Sequence, residues 1–220
     1  MPGAGEVSPS VQLRADLEAR LAAGDLPGAR RAASGLWAAG PNASTARHLV
    51  KQRQLLWPDG GRGALRVAVL RSFTVEPVVP LMAAEAALHG YDLQTWVGEF
   101  NAYGQEIFDL QSGLYAHAPD VVILALHTRD IAPVLWRGFA ALSTAEAEAA
   151  VEDAVATLDQ LVTALRSRTD ARIIIHGLSW PLLAERGALE AGAELTQAEA
   201  IADVNRGLRR ALRRHADVLL

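Results

Sequence analysis

Short apolar runs alternate with longer helical stretches from residue 65 onward, and this alternation constrains the fold more than any other feature of the chain. Five runs have the length of strands: LRVAVL (65–70), DLQTWV (92–97), DVVILAL (120–126), ARIIIHG (171–177) and ADVLL (216–220). The stretches between them are long enough for the helical crossovers that parallel strands require. The pattern therefore predicts an α/β domain built on a parallel sheet of about five strands.

Two of the intervening helices carry sequence signals for their first residues. Ser143 with Glu146, and Thr196 with Glu199, match the capping box, in which a hydroxyl and a carboxylate bond reciprocally to backbone N–H groups. The predicted helices span residues 77–89, 144–168 and 196–214. Helices on both faces of such a sheet give a three-layer, doubly wound, flavodoxin-like fold.

The first 58 residues have a helical pattern without strands. Val11, Leu17 and Leu21 fall on one helical face, and further helices are expected after Asp25 and Asn42. The turn-rich segment DGGRGA then predicts a hinge. We therefore expect a helical amino-terminal appendage over 1–58 and an α/β domain over 65–220.

Composition and charge exclude several classes of function. The formal net charge of −4 gives no basic field for nucleic acid. The absence of cysteine excludes disulfides, thiolate metal sites and a cysteine nucleophile. The sequence starts without a signal-peptide pattern and has no apolar run long enough to cross a bilayer. The sequence thus predicts a cytoplasmic protein without a membrane partner.

Polar residues follow the predicted strands at the sheet edge where ligands of parallel α/β folds bind. The segments after the first four strands are RSFT (71–74), GEFN (98–101), HTRD (127–130) and HGLSW (176–180). Because parallel strands end at the same edge, we expect these segments to line one crevice. They supply a hydroxyl, imidazoles, a carboxylate and an amide, which suit acid–base, nucleophilic or binding chemistry.

One segment carries a resemblance to a known family. GEFNAYGQEIFDLQSGLYAHAPD, with RVAVLRSFT before it and IIIHGLSWP after it, resembles the first half of FkbH-like proteins over roughly residues 65–220. Members of that family join an SGNH-hydrolase-like amino-terminal domain to a HAD-type phosphatase domain. The resemblance implies an enzyme that takes a glyceryl unit from 1,3-bisphosphoglycerate, removes its phosphate and loads it onto an acyl carrier protein in polyketide-type biosynthesis.

The resemblance also implies partners and a cofactor. An acyl carrier protein with a phosphopantetheine-bound acyl group and a small anionic acyl donor are the expected partners. Mg²⁺ is expected only in the HAD-type domain, whose aspartate-rich motif these 220 residues lack. Because the sequence stops inside the predicted strand at 216–220, the α/β domain is expected to be truncated at its carboxyl end.

The SGNH pattern assigns roles to individual residues. Ser72 matches the nucleophile of a GDSxT-type motif, although Leu70 and Arg71 replace its Gly-Asp. Gly98 is similar to the oxyanion-hole glycine, and Arg129 stands where the pattern has an asparagine donor. The Asp-x-x-His of the pattern would follow the last strand, so no complete triad is present. The candidates are Ser72, His127 and Asp130 as catalytic residues, and Arg71, Thr74, Gly98, Asn101, Arg129 and His176 as substrate-binding residues.

Each candidate also has a structural interpretation. Ser72 is a nucleophile or a hydroxyl that caps a helix. His127 is a base or a histidine satisfied by local backbone groups. Asp130 orients an imidazole or caps a helix that begins at Ile131. Trp180 is interpreted as a packing anchor.

Three functions remain open at this point. The chain is an acyl-handling domain of an FkbH-like enzyme, a free-standing serine esterase or acyltransferase of the SGNH class, or a catalytically silent interaction module. An esterase requires Ser72 within hydrogen-bond reach of an imidazole, about 3 Å. The degenerate motif predicts no robust esterase activity.

Overall fold

The computed structural model describes residues 9–220 of the chain. Three helices come first: α1 (Pro9–Ala22), α2 (Leu26–Ala38) and α3 (Ala43–Leu56). Strands and helices follow in the order β1 (Gly63–Arg71), α4 (Val79–Leu88), β2 (Tyr91–Val97), α5 (Tyr103–Phe108), α6 (Gly113–Ala116), β3 (Val121–Ala125), α7 (Thr128–Ile131), α8 (Pro133–Trp136), α9 (Thr144–Arg166), β4 (Arg172–Ile175), α10 (Gln197–Leu212) and β5 (Val218–Leu219). Short 3-10 helices lie at Phe139–Ala141 and Gly187–Gly192.

The five strands form one parallel sheet in the order β2-β1-β3-β4-β5. Leu70 of β1 pairs with Leu124 of β3, which pairs in turn with Ile175 of β4. The predicted fold class is therefore confirmed: an α/β protein with a five-stranded parallel sheet flanked by helices, consistent with a three-layer flavodoxin-like fold. This topology brings the carboxyl ends of β1, β3 and β4 to one edge.

The main core lies between the central strands and helices α9 and α10. Val122 and Leu124 of β3 are completely buried, as is Leu158 of α9. Both predicted capping boxes are present, since the Ser143 N–H donates to Glu146 (2.8 Å) and the Thr196 N–H donates to Glu199 (2.9 Å). The helices α9 and α10 thus begin where the sequence predicts. They end at 166 and 212, two residues earlier than expected in each case.

The chain forms two compact units, residues 9–65 with 75–94 and residues 66–74 with 95–220. In the first unit, Leu17, Leu36 and Leu49 are completely buried. Val11 is 55% exposed, so its predicted place on the same buried face is wrong. Helix α1 contacts this core from Leu13 onward, which lies beyond the first helical turn. The division into a helical appendage over 1–58 and an α/β domain over 65–220 stays a prediction.

Within residues 9–220, no helix has the length and apolar character needed to cross a membrane.

Candidate functional site

Ser72 lies at the carboxyl end of β1 and bridges the two central strands. Its N–H donates to the Ala125 carbonyl (3.0 Å), and its Oγ accepts a hydrogen bond from the N–H of His127 (2.8 Å). The residue is completely buried. Among the hydrogen bonds of residues 9–220, none joins this Oγ to an imidazole nitrogen. The hydroxyl thus satisfies the backbone at the point where β3 ends.

His127 follows β3 and caps α7 with its side chain. Its Nδ1 accepts a hydrogen bond from the Arg129 N–H (3.1 Å), so the neutral ring carries its proton on Nε2. The ring packs edge-on against Trp136, with centroids 4.7 Å apart, and against Phe73 at 6.5 Å. Burial lowers the pKa of His127, and the nearby positive charge of Arg129 lowers it further. The site therefore favours neutral imidazole.

His176 follows β4 and presents the complementary form of the ring. Its Nδ1 lies 2.9 Å from the Gly177 carbonyl, which can only accept, so Nδ1 carries the proton and Nε2 is left as an acceptor. The ring packs edge-on against Phe73, with ring centroids 5.7 Å apart, and Phe73 also contacts the ring of His127. One imidazole offers an N–H donor and the other a lone pair. The donor nitrogen of His127 and the acceptor nitrogen of His176 thus lie on rings that both contact Phe73.

Asp130 lies within the single turn of α7. This helix begins at Thr128 and is capped by His127, so the interpretation of Asp130 as the cap of a helix starting at Ile131 is wrong. Its Oδ2 is buried without a hydrogen bond and lies 3.5 Å from the Nε of Arg129. Burial raises the pKa of Tyr103, and the negative charge of Asp130 raises it further.

The end of β2 is occupied by backbone hydrogen bonds. The Gly98 N–H donates to the Val69 carbonyl (2.9 Å), and the Gly98 carbonyl accepts from the Nε of Arg71 (3.0 Å). The amide that the resemblance assigns to an oxyanion hole is therefore engaged in the sheet. Asn101 follows with a left-handed φ of 59°, which asparagine tolerates better than most residues, and its N–H donates to the Arg71 carbonyl (3.0 Å). Asn101 and Thr74 are both exposed.

A small cavity lies at the segment that contains α7 and α8. It measures about 240 Å³ and is lined by Arg129, Asp130, Pro133, Trp136 and Arg137. Two guanidinium groups and one carboxylate give it a positive balance. A ligand carboxylate or phosphate suits such a cavity.

Three polar residues that sequence analysis did not single out hold the loop after β4. The Thr128 hydroxyl donates to the Ser179 carbonyl (2.6 Å). The Asn205 side chain accepts from the Leu178 N–H (2.7 Å) and donates to the Leu178 carbonyl (2.8 Å). The third residue is the completely buried Gln197, whose side-chain oxygen accepts from the Glu185 N–H (3.0 Å). Its side-chain nitrogen donates to the carbonyls of Leu135 and Trp136 in α8. For Asn205 the sequence did offer a signal, because an asparagine inside a helix often bonds to a group outside it.

Trp180 is 60% exposed, so its interpretation as a packing anchor is wrong. The loop is fixed by the backbone of Ser179 and Leu178, and this leaves the neighbouring indole free to face outward. The structure thus brings Ser72, His127 and His176 together around Phe73 and places Arg129 and Asp130 beside them. The chemical roles of these residues stay predictions.

The part of the chain that the structure describes contains no group of three or more His, Asp or Glu side chains placed to hold a metal ion. The carboxylate of Asp130 next to Arg129 is a poor donor set for Mg²⁺, which prefers several oxygen ligands. The residues present do not fit the magnesium site of a phosphatase.

Fold and site together define an α/β protein with a parallel five-stranded sheet, whose carboxyl edge carries a group of polar and aromatic side chains. No protein-family model and no curated protein matches the sequence. A solved structure is similar: the N-terminal part of the protein BF1531 from Bacteroides fragilis, described as containing a phosphatase domain complexed with Mg. The TM-score is 0.59 at 17% sequence identity, and the match covers 79% of this chain. This chain spans 44% of that structure, and the likeness shows a shared fold.

Proposed function

We propose that this chain is the SGNH-like domain of an FkbH-like enzyme and that it binds a carrier-bound or anionic acyl group without hydrolysing it. In the complete reaction, a glyceryl unit from 1,3-bisphosphoglycerate loses its phosphate and is loaded onto an acyl carrier protein in polyketide-type biosynthesis. The phosphate chemistry belongs to a HAD-type domain with its Mg²⁺. The present domain handles the acyl group or the carrier protein.

One observation carries this proposal: the hydroxyl of Ser72 is buried and bonds to the backbone of His127 instead of to an imidazole. A serine nucleophile needs a general base within hydrogen-bond reach and donors for the oxyanion. Here Nδ1 of His127 is taken by the Arg129 N–H, and the Gly98 N–H is taken by Val69. The arrangement supports binding in place of acyl transfer through serine.

The chemistry of the surrounding side chains supports an anionic, hydroxylated ligand. The guanidinium groups of Arg129 and Arg137 line the cavity beside the crevice. The two imidazoles supply one donor and one acceptor, as a glyceryl hydroxyl requires. A simple neutral ester has no charge to pair with the guanidinium groups and no O–H to donate to the acceptor imidazole.

The fold likeness adds separate support. The similar structure is described as containing a phosphatase domain, and this chain spans less than half of it. An α/β domain of this kind that works beside a phosphatase domain agrees with the arrangement we propose.

The first test is an esterase assay on the purified chain. We expect p-nitrophenyl acetate to be hydrolysed at the background rate, since loss of a triad base or an oxyanion donor lowers rates by about a hundredfold or more. Ser72→Ala should then leave the rate unchanged, as should the exposed control Ser167→Ala. Turnover well above background that disappears only in Ser72→Ala would show a serine esterase instead.

The second test measures binding of the proposed ligands by calorimetry. The chain should bind a glyceryl-loaded acyl carrier protein or 3-phosphoglycerate, and His176→Ala should weaken binding about tenfold by removing the acceptor. The control is His89→Ala, in the other compact unit. If the chain binds neither ligand, the proposed function is wrong.

A further inference from the structure

Helices α9 and α10 pack against each other and leave a groove between them. Gly207 of α10 comes so close to α9 that a Cβ built on it would lie 2.7 Å from a methyl group of Val155. The groove has a volume of about 520 Å³, and its lining includes a set of small or apolar residues, all at least partly exposed: Val151, Val155, Ala156, Gly207 and Ala211. The two helices thus present a common, partly apolar surface to solvent.

One end of this groove is acidic. Glu152 of α9 lines the groove and Glu148 lies one turn before it; both are exposed, and within residues 9–220 neither forms an ion pair. Asp203 of α10 also lines this end and pairs with Arg206 (2.8 Å). The end therefore has three carboxylates against one guanidinium group. Both glutamates lie beyond the first turn of α9, so the helix dipole does not account for their position.

The other end of the groove is basic. Arg210 lines the groove and Arg213 follows at the end of α10; both are exposed, and in the described part of the chain neither has an ion-pair partner. Arg214 also lines this end and pairs with Asp159 of α9. The end therefore has three guanidinium groups against one carboxylate.

The acidic and basic ends lie on opposite sides of the contact between Val155 and Gly207. Both helices run in the same direction there, because the ion pair that Asp159 makes lies later along both of them. Glu152 comes three residues before this contact and Arg210 three residues after it, which places them about 4.5 Å to either side along the helices at about 1.5 Å per residue. Along its length the groove thus changes from acidic to apolar to basic.

This order of charges selects a second copy of the chain as the partner. A surface with charge of a single sign would be attracted by one end of the groove and repelled by the other. A second copy, rotated by 180° about an axis that crosses the middle of the groove in the plane of the interface, puts the acidic end of each copy against the basic end of the other. Such an isologous contact makes every favourable pair twice.

We infer that α9 and α10 form the interface of a two-fold homodimer, in which Glu152 of each copy pairs with Arg210 of the other. Val155 and Ala156 then lie near the two-fold axis, where the apolar part of the groove is covered. This interface is independent of the proposed function, since it involves neither the imidazoles nor the arginines of the candidate site.

The first test measures the oligomeric state of the full chain by sedimentation equilibrium. The apolar part of the groove is small, so we expect a weak dimer with a Kd of about 10–100 µM at low salt. Salt screens exposed charges, so raising the ionic strength from about 0.05 M to about 0.5 M should weaken the dimer about tenfold. A chain that stays monomeric at about 500 µM in low salt overturns the inference.

The second test reverses the two charges separately. Glu152→Arg places basic groups opposite each other, and Arg210→Glu places acidic groups opposite each other, so each variant alone should dimerise about tenfold more weakly or worse. Mixed in equal amounts, the two variants should form a heterodimer about as tight as the wild-type dimer, because each copy then supplies the charge that the other lacks. The double variant E152R with R210E should dimerise on its own like the wild type.

Matched controls reverse exposed charges elsewhere, with Glu99→Arg after β2 and Arg47→Glu on α3. Both should leave the Kd of the dimer within about twofold of the wild type. Circular dichroism and thermal unfolding check the fold of every variant. Glu152→Gln, which removes a charge without adding one, should weaken the dimer by a smaller factor of about two to three. If a dimer survives both single reversals undiminished, or if the mixed variants stay monomeric, this groove is not the interface.

Discussion

Ser72 links the ends of the two central strands, and its main measurable effect is expected on stability. Ser72→Ala removes the acceptor for the His127 N–H at a completely buried position. An unsatisfied buried donor costs about 1–3 kcal/mol, so the free energy of unfolding should fall by that amount. Urea unfolding measures it. The exposed control Ser167→Ala should change the value by less than about 0.5 kcal/mol. Equal stability of Ser72→Ala and wild type would contradict a structural role for the hydroxyl.

His127 should make the stability of the protein depend on pH. Burial, and then Arg129, hold its pKa in the folded chain below the ordinary value of about 6.5. Between these two values the unfolded chain binds more protons, so the free energy of unfolding rises with pH. The stability contributed by the neutral ring is thus complete above pH about 6.5 and is lost as the pH falls toward the folded pKa.

His127→Asn tests this assignment, because the asparagine oxygen can accept the same bond from the Arg129 N–H without titrating. Between pH 7.5 and pH 5, wild type should lose more stability in urea unfolding than the variant. An NMR titration of the His127 ring should give a midpoint below about 6.5. A midpoint at or above that value would show that Asp130, and not burial, dominates the electrostatics of the ring.

Helix α10 fixes the first part of the loop after β4 through the side chain of Asn205. Asn205 makes two hydrogen bonds to the backbone of Leu178, at 2.7 and 2.8 Å. Asn205→Ala should lower the free energy of unfolding by about 1–3 kcal/mol, because both backbone groups lose their partner. It should also speed amide hydrogen exchange in residues 178–186, which then open without global unfolding.

The control for this element is Arg209→Ala, an exposed change on the same helix. It should affect neither stability beyond about 0.5 kcal/mol nor exchange in the loop. Faster exchange confined to α10 itself in Asn205→Ala would show that the asparagine serves the helix and not the loop.

At the scale of the whole molecule, the parallel sheet brings together polar residues from segments that lie far apart in sequence. Ser72, His127 and His176 follow three different strands and meet around Phe73 because β1, β3 and β4 end at one edge. The same sheet is compatible with many chemistries, so its likeness to the Bacteroides fragilis structure says little about the reaction. The bonds made by Ser72 and His127 therefore carry more weight for function than the fold does.

Local sequence patterns determined the elements of this protein. Strands β1, β3 and β4 follow from apolar runs, and the starts of α9 and α10 follow from the capping boxes of Ser143 and Thr196. These features depend on side-chain periodicity and on bonds within one helical turn, which neighbouring residues alone decide. The convergence of the strand ends at one sheet edge followed from the prediction that the strands are parallel.

Only the tertiary structure decided what the site residues contact. The hydrogen bond of Ser72 to the residue 55 positions later, the cap formed by His127 and the exposure of Trp180 all depend on how separate segments meet. A buried hydroxyl bonds to whichever backbone group the fold brings near it, and a histidine at a strand end has two nitrogens that several partners can satisfy. Residue type and spacing leave those choices open, because their energies are settled by long-range packing.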